Sequence, residues 1–166
     1  LTSTHLLYLC TVAGAEALQL FDSWSGSLAP AQFESWVIAP TARIVTALKT
    51  RHPNVPVIGF PKGAGAKLAA YARETGVDAL GLDETIDPVW AASVLPSDLP
   101  LQGNLDPAVL LGTRDLIRER ASAVLDAAGP AGHVFNLGHG ILPETSPDHA
   151  RFLVDTVREM SARRAS

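Results

Sequence analysis

Cysteine occurs once in the 166 residues, at Cys10, and methionine once, at Met160. A lone thiol excludes a disulfide framework within the chain and suits a reducing compartment, so the cytoplasm is the expected location. No apolar run approaches the ~18 residues of a membrane span. The opening Leu1-Thr-Ser-Thr-His5 has neither the basic start nor the apolar middle of a secretory signal. Basic residues are also few: 13 Lys and Arg against 17 Asp and Glu give a formal net charge of −4, which argues against a general nucleic-acid binder. Arg163-Arg164 is the one basic run, and it reads as the solvated end of a helix. His133, His139 and His149 do not have zinc-site spacing, and the single thiol stands alone, so no metal is expected. His133 and His149 are expected to be structural or solvated. The chain does not begin with methionine, which fits a fragment or a processed product.

What remains is a globular composition, 47% apolar and 18% charged, long enough for one domain with a real core. No linker or low-complexity segment interrupts residues 1–166. Short runs rich in Val, Ile, Leu or Phe lie at 17–21, 55–60, 77–82, 99–102 and 133–137. None alternates strictly, as expected of strands covered on both faces. Between them lie helical patterns. Residues 31–50 carry a near-3.6 apolar period, with a break or kink expected at Pro40. Residues 64–75 stop at Gly76, a good C-terminal cap. Residues 86–95 are a weaker helix. Residues 113–128 start at a Thr113 cap and stop at Gly129-Pro130. Residues 147–163 open on Pro147. A short helix at about 4–13 precedes the first strand. Repeated βα alternation implies a parallel sheet.

Five βα units fit an open doubly wound sheet or part of a barrel. The first strand is followed by Asp22-Ser-Trp-Ser-Gly26, which is no nucleotide-binding glycine fingerprint. Polar residues recur where strands end: Asp22 and Ser23, Lys62, Asp83, Asn104 and Asp106, Asn136 and His139. Barrel active sites are assembled in that way.

His139 sits between two glycines, which permit a sharp turn and an accessible imidazole. It reads either as a turn histidine or as a functional group, and its place after a strand favours the second. Ser23 has no nucleophile elbow around it. It reads as a hydroxyl that binds a substrate carboxylate, with turn capping by Asp22 and Ser23 as the alternative. Pro61-Lys62-Gly63 lacks the order of a phosphate loop, so Lys62 is expected in a tight turn, paired or solvated. Asp106-Pro107 is expected to start a helix.

The segments Leu18-Gln-Leu-Phe-Asp-Ser-Trp-Ser-Gly26, Gly59-Phe-Pro-Lys-Gly63, Gly76-Val-Asp-Ala-Leu-Gly-Leu-Asp83, Leu101-Gln-Gly-Asn-Leu-Asp-Pro107 and Phe135-Asn-Leu-Gly-His-Gly-Ile-Leu-Pro143 together resemble the uroporphyrinogen decarboxylase family in its bacterial form. The resemblance covers nearly the whole chain. It implies an α/β protein of the (β/α)8 TIM-barrel family, with this chain as about the last five βα units and the N-terminal part missing. It implies a carboxy-lyase of porphyrin and heme biosynthesis that converts the four acetates of uroporphyrinogen III to the methyls of coproporphyrinogen III. No cofactor is implied, and the full-length form is expected to be a homodimer. By the same resemblance Ser23 and His139 bind substrate. The family's catalytic aspartate, its propionate-gripping arginines and a binding tyrosine belong to its N-terminal half, so no catalytic residue is assigned here and the chain is expected to be inactive alone. The sequence departs from the family pattern at Glu84, where an aromatic residue is usual, and in a first helix that is about two residues short. Two other readings share the architecture. One is a non-catalytic porphyrinogen-binding half-barrel. The other is a relative of the corrinoid-linked methyltransferases, which the lack of a strand-end cysteine opposes.

Overall fold

The computed structural model describes residues 3–127 and 132–164. Five strands, β1 (Leu18–Asp22), β2 (Val57–Pro61), β3 (Ala79–Gly81), β4 (Leu101–Gln102) and β5 (His133–Val134), pair in parallel in the order of the chain. Helix α1 (Ser3–Val12) precedes them. Each later connection carries helix: α2 (Pro30–Phe33) and α3 (Ala39–Arg51) after β1, α4 (Leu68–Glu74) after β2, α5 (Pro88–Val94) after β3, α6 (Arg114–Ala127) after β4 and α7 (Pro147–Arg164) after β5. A doubly wound sheet reverses its strand order at a switch point. Here the order never reverses, which is the winding of a (β/α) barrel, and five of its units are present. Among the described residues no helix is long and apolar enough to cross a membrane.

The strands form where the sequence places them, but β3, β4 and β5 are each shorter than the runs 77–82, 99–102 and 133–137. Beyond Val134 the pairing with the β4 side continues through isolated bonds, Leu105 N–H to the Asn136 carbonyl at 3.1 Å and Gly138 N–H to the Leu105 carbonyl at 2.8 Å. The backbone is thus held in register while leaving regular strand geometry.

The expected break at Pro40 takes another form. Helix is continuous from α2 into α3 through a π turn at Glu34–Ile38, and Pro40 lies in the first turn of α3. Proline offers no N–H and its ring collides with the carbonyl four residues back. Widening the preceding turn, with Ala39 N–H bonded to the Glu34 carbonyl, meets both constraints without a break. The segment at 107 also differs, since Pro107–Leu111 is a 3-10 turn capped by Asp106, whose Oδ1 accepts from Ala108 N–H at 2.8 Å. Other punctuation follows the sequence. Gly76 takes φ +71° after α4, and the Thr113 hydroxyl accepts from Leu116 N–H at 3.3 Å at the start of α6. The expected stop at Gly129-Pro130 lies outside the described residues.

Two apolar clusters hold the layers together. One joins the outward faces of β1 to β3, including Leu18, Val57 and Leu80, to Phe33, Val45, Leu68 and Tyr71. The other joins Leu105, Leu110, Ile117, Ala121 and Leu153 beneath α6 and α7. Burying each such Leu, Ile, Val or Phe contributes roughly 1.5–3 kcal/mol. Helices are therefore fixed to the outside of the arc, and its concave side is left for the site.

Candidate functional site

Side chains alternate across a strand, so one set points into the concave side of the arc. Gln19 and Phe21 of β1, Phe60 of β2 and Gln102 of β4 line a cleft of about 410 Å³ there. In β3 the matching position is Gly81, paired with Gln102. A Cβ at Gly81 would stand 2.6 Å from the Phe60 ring, so the missing side chain is what lets Phe60 lie across the floor. Phe21 meets Phe60 edge-to-face, with ring centroids 5.7 Å apart. Across this apolar floor Gln102 donates from Nε2 to Gln19 Oε1 at 3.2 Å, joining the first strand of the arc to the fourth.

The mouth of the cleft is formed by the loops after β1 and β5. It contains both sequence-predicted site residues, Ser23 and His139. The loop after β1 is built from local hydrogen bonds. Asp22 Oδ1 accepts from Trp24 N–H at 3.2 Å, and the buried Ser25 hydroxyl donates to the Lys62 carbonyl at 2.9 Å. Ser25 therefore ties this loop to the end of β2, and Ser23 is left exposed at the rim. The loop after β5 rests on β3. A Cβ at Gly138 would lie 2.2 Å from the Glu84 amide nitrogen. Only glycine permits that approach, and it sets where His139 emerges. Neither the Ser23 hydroxyl nor the His139 ring has a hydrogen-bond partner among the described residues, so both can bind a ligand.

Most of the other strand-end polar residues serve the scaffold. Asp83 is buried and accepts from Gly63 N–H at 2.8 Å and Thr85 N–H at 2.9 Å. Asn104, also buried, donates to the Asp83 and Ile86 carbonyls at 2.9 and 2.6 Å. Lys62 faces Glu84 across 3.6 Å, and the second Glu84 oxygen is buried without a hydrogen bond. Asn136 does line the cleft, with its Oδ1 accepting from Leu137 N–H at 2.8 Å. His133 and His149 bond the Gly103 and Leu110 carbonyls at 2.5 and 2.8 Å. Arg163 and Arg164 end α7 in ion pairs with Glu159 and Asp126. Cys10 lies in α1, ahead of the first strand. Among the described residues no three His, Cys, Asp or Glu side chains gather as metal ligands.

One polar cleft residue escaped the reading of the sequence, Gln19, whose signal was one amide inside an otherwise apolar strand. Gln102 ends its strand in the polar segment that runs to Pro107 and had been given no binding role. The resulting site is a concave pocket lined by Phe21, Phe60 and Leu82 together with the Gln19 and Gln102 amides, with a hydroxyl and an imidazole at its rim. No Asp, Glu, Lys or Arg lines it among the described residues. Such a site can bind a large flat ligand through neutral donors at fixed places.

The family model "Uroporphyrinogen decarboxylase (URO-D)" matches residues 2–160 of the chain. The chain is 61% identical over 149 residues to a uroporphyrinogen decarboxylase of Novosphingobium aromaticivorans, an alignment covering 90% of the chain and 44% of that protein. It is 64% identical over 146 residues to one of Erythrobacter litoralis, covering 88% of the chain and 43% of that protein. The chain thus spans less than half the length of these relatives. A methyltransferase from Methanosarcina mazei matches in fold, with a TM-score of 0.75 at 20% identity, covering 91% of this chain and 44% of that one.

Proposed function

The chain belongs to the uroporphyrinogen decarboxylase family, and from that membership we propose that it forms the C-terminal part of a cofactor-free carboxy-lyase acting on uroporphyrinogen III. The observation that carries this reading is the meeting of Ser23 and His139, far apart in sequence, at the rim of one cleft. In the reaction the bond between an acetate methylene and its carboxylate breaks. Its electron pair passes to a pyrrole ring protonated on carbon, CO2 leaves, the methylene takes a proton to become methyl, and the ring carbon releases the proton it had gained. Over each cycle one acetate arm and one proton become a methyl group and CO2.

Ser23 and His139 donate hydrogen bonds to substrate carboxylates at the rim, and the aromatic walls receive the ring face. A cation on the ring needs an opposite charge beside it. Among the described residues no carboxylate lines the cleft, so that role is assigned to no residue here, and neither is the gripping of the propionates by arginine. Both belong to the remainder of the barrel, and the full-length enzyme is a homodimer. The methyltransferase reading gains nothing from the shared fold, because a thiolate-bound metal would need a cysteine at a strand end and Cys10 is in α1.

The test is decarboxylation of uroporphyrinogen III by this chain and by the same chain extended through its upstream reading frame, with products oxidised and separated by carboxylate number. Coproporphyrinogen from the extended polypeptide alone is the expected result. Product from neither overturns the reading in favour of a binding module, and product from the short chain overturns the assignment of the catalytic carboxylate to the remainder.

A further inference from the structure

Between Ser23 and His139, around the mouth of the cleft, stand the ends of β2 and β3, and the residues there are Lys62 and Glu84. The ladder between β1 and β2 runs on past Pro61, with Lys62 N–H donating to the Asp22 carbonyl at 3.0 Å. Phe21 and Phe60 are partners in that ladder and both line the cleft. Side chains alternate, so Ser23 and Lys62 are the next pair on that side, on backbones about 4.8 Å apart. Through Glu84, Lys62 also meets the histidine loop. Lys62 Nζ lies 3.6 Å from Glu84 Oε1, and a Cβ at Gly138 would stand 2.8 Å from the Glu84 Cβ. Lys62 thus places a cation between the two rim residues.

Its bonding is unlike that of the other two lysines. Lys49 Nζ donates to the Val55 carbonyl at 3.0 Å and pairs with Asp78 at 2.6 Å. Lys67 Nζ donates to the Gly26 and Leu28 carbonyls at 3.1 and 2.8 Å. Both are pinned into the scaffold. Lys62 Nζ donates no hydrogen bond to the described residues, since 3.6 Å is too long for one. Glu84 is no better served, because its Oε2 is buried without a donor. The Lys62 side chain keeps 25% of its surface exposed, so a ligand at the mouth can reach it. An ammonium with three free donors on a flexible stem binds anions, and a carboxylate gives it short, charge-assisted bonds. We propose that Lys62 donates to a carboxylate of the substrate between Ser23 and His139, and that Glu84 is a positioning residue that holds the ammonium at the mouth. The ammonium is turned to Glu84 rather than onto the cleft wall, and rotation about the lysine stem makes the contact. The proposal rests on the decarboxylase reading and adds to it a charged contact from this part of the barrel.

The experiment uses the extended polypeptide that turns over uroporphyrinogen, in two variants that both lack the Glu84 charge. Glu84→Gln leaves the Lys62 ammonium in place. Lys62→Met combined with Glu84→Gln replaces the ion pair by neutral side chains of similar length, so neither charge is stranded. KM for uroporphyrinogen III is expected to be roughly 10- to 100-fold higher in the double variant than in Glu84→Gln, the usual effect of losing a hydrogen bond to a charged group. The kcat values are expected to differ by less than about threefold, as for a contact made equally before and in the transition state. The KM ratio is expected to shrink as ionic strength rises from about 0.05 to about 0.5 M, because a charge contact at an open mouth is screened. A pair that only braced the scaffold would move stability and leave the ratio near one at every salt concentration. If the double variant does not fold, Glu84→Gln decides. Freeing Lys62 from its carboxylate is expected to lower KM by about threefold against the parent at low salt, and an unchanged or raised KM overturns the proposal. Folded variants whose KM values agree within about twofold, or whose ratio is indifferent to salt, overturn it while the decarboxylase reading stands. A parent that forms no coproporphyrinogen overturns both.

Discussion

At Gly138 a single hydrogen atom in place of a side chain decides where the histidine loop can lie. A Cβ there would meet the Glu84 amide nitrogen at 2.2 Å and the Glu84 Cα at 2.7 Å. Both are backbone atoms of the β3 end, so neither can swing aside. Gly138→Ala is expected to cost roughly 1–3 kcal/mol of stability, the usual range for overpacking. Gly140→Ala, where a Cβ meets nothing within 4 Å, is expected to stay within about 0.5 kcal/mol. Urea titration of both variants checks this, and equal losses would contradict the clamp. His139→Asn is expected to reduce kcat/KM of the extended polypeptide by roughly 10-fold or more, measured with uroporphyrinogen III, with folding stability little changed because the ring bonds none of the described residues. Ser23 and His139 were legible in the sequence because each stands at a strand end among turn-forming residues. A cleft position for Gln19 and Gln102 was not. Gln19 looks like an interruption of a five-residue apolar run and Gln102 like the start of a polar turn, and only the curvature of the sheet shows that both amides face the same hollow.

Packing of α4 on β2 shows how elements settle against each other. A Cβ at Gly59 would strike the Tyr71 ring at 2.6 Å, so the strand gives up a side chain to seat the tyrosine. Burial pushes the Tyr71 phenol up to about 12, with the hydroxyl contact to Thr41 opposing the shift and the charge of Asp22 adding to it. An unfolded tyrosine titrates near 10. Below about pH 10 the phenol is neutral in both states, and the stability it contributes is fully present. Between about pH 10 and 12 the unfolded chain releases the proton while the folded chain keeps it, so stability falls by up to ~1.4 kcal/mol per pH unit. The difference in unfolding free energy between the parent and Tyr71→Phe should therefore be flat up to about pH 10 and then shift against the parent. A difference that stays flat to about pH 11.5 would mean that the phenol is not shielded as the structure shows. The order and type of the elements could be read from apolar runs separated by Gly and Pro. The π turn at Glu34–Ile38 could not, because periodicity shows where proline cannot fit but not how the chain relieves it.

For the molecule as a whole, the arc has two unpaired sides. Among the described residues β1 pairs only with β2, and β5 only with β4. A closed barrel removes such edges, and an open one leaves rows of N–H and C=O groups able to template pairing. Apolar surface accompanies the edges. Phe21 is 69% exposed, Val134 50%, Ile141 51% and Val154 46%. A groove beside β5, lined by Leu110, Phe135, Leu137 and Leu153 among others, continues that surface onto α7. Exposed apolar patches next to open strand edges favour association over solvation. The chain on its own is therefore expected to elute as a concentration-dependent oligomer or aggregate in size-exclusion chromatography with light scattering. Extension through the upstream reading frame, supplying the strands that close the barrel, should convert it to a discrete species that unfolds cooperatively. Substituting lysine at Val134 and Val154, both exposed, should reduce self-association of the short chain without making it catalytic, because it blunts the edge but adds no carboxylate to the cleft. A short chain that is a monodisperse monomer with a single cooperative transition would show that five βα units bury enough of their own surface to stand alone, and the dependence of the site on the rest of the barrel would then be catalytic rather than structural.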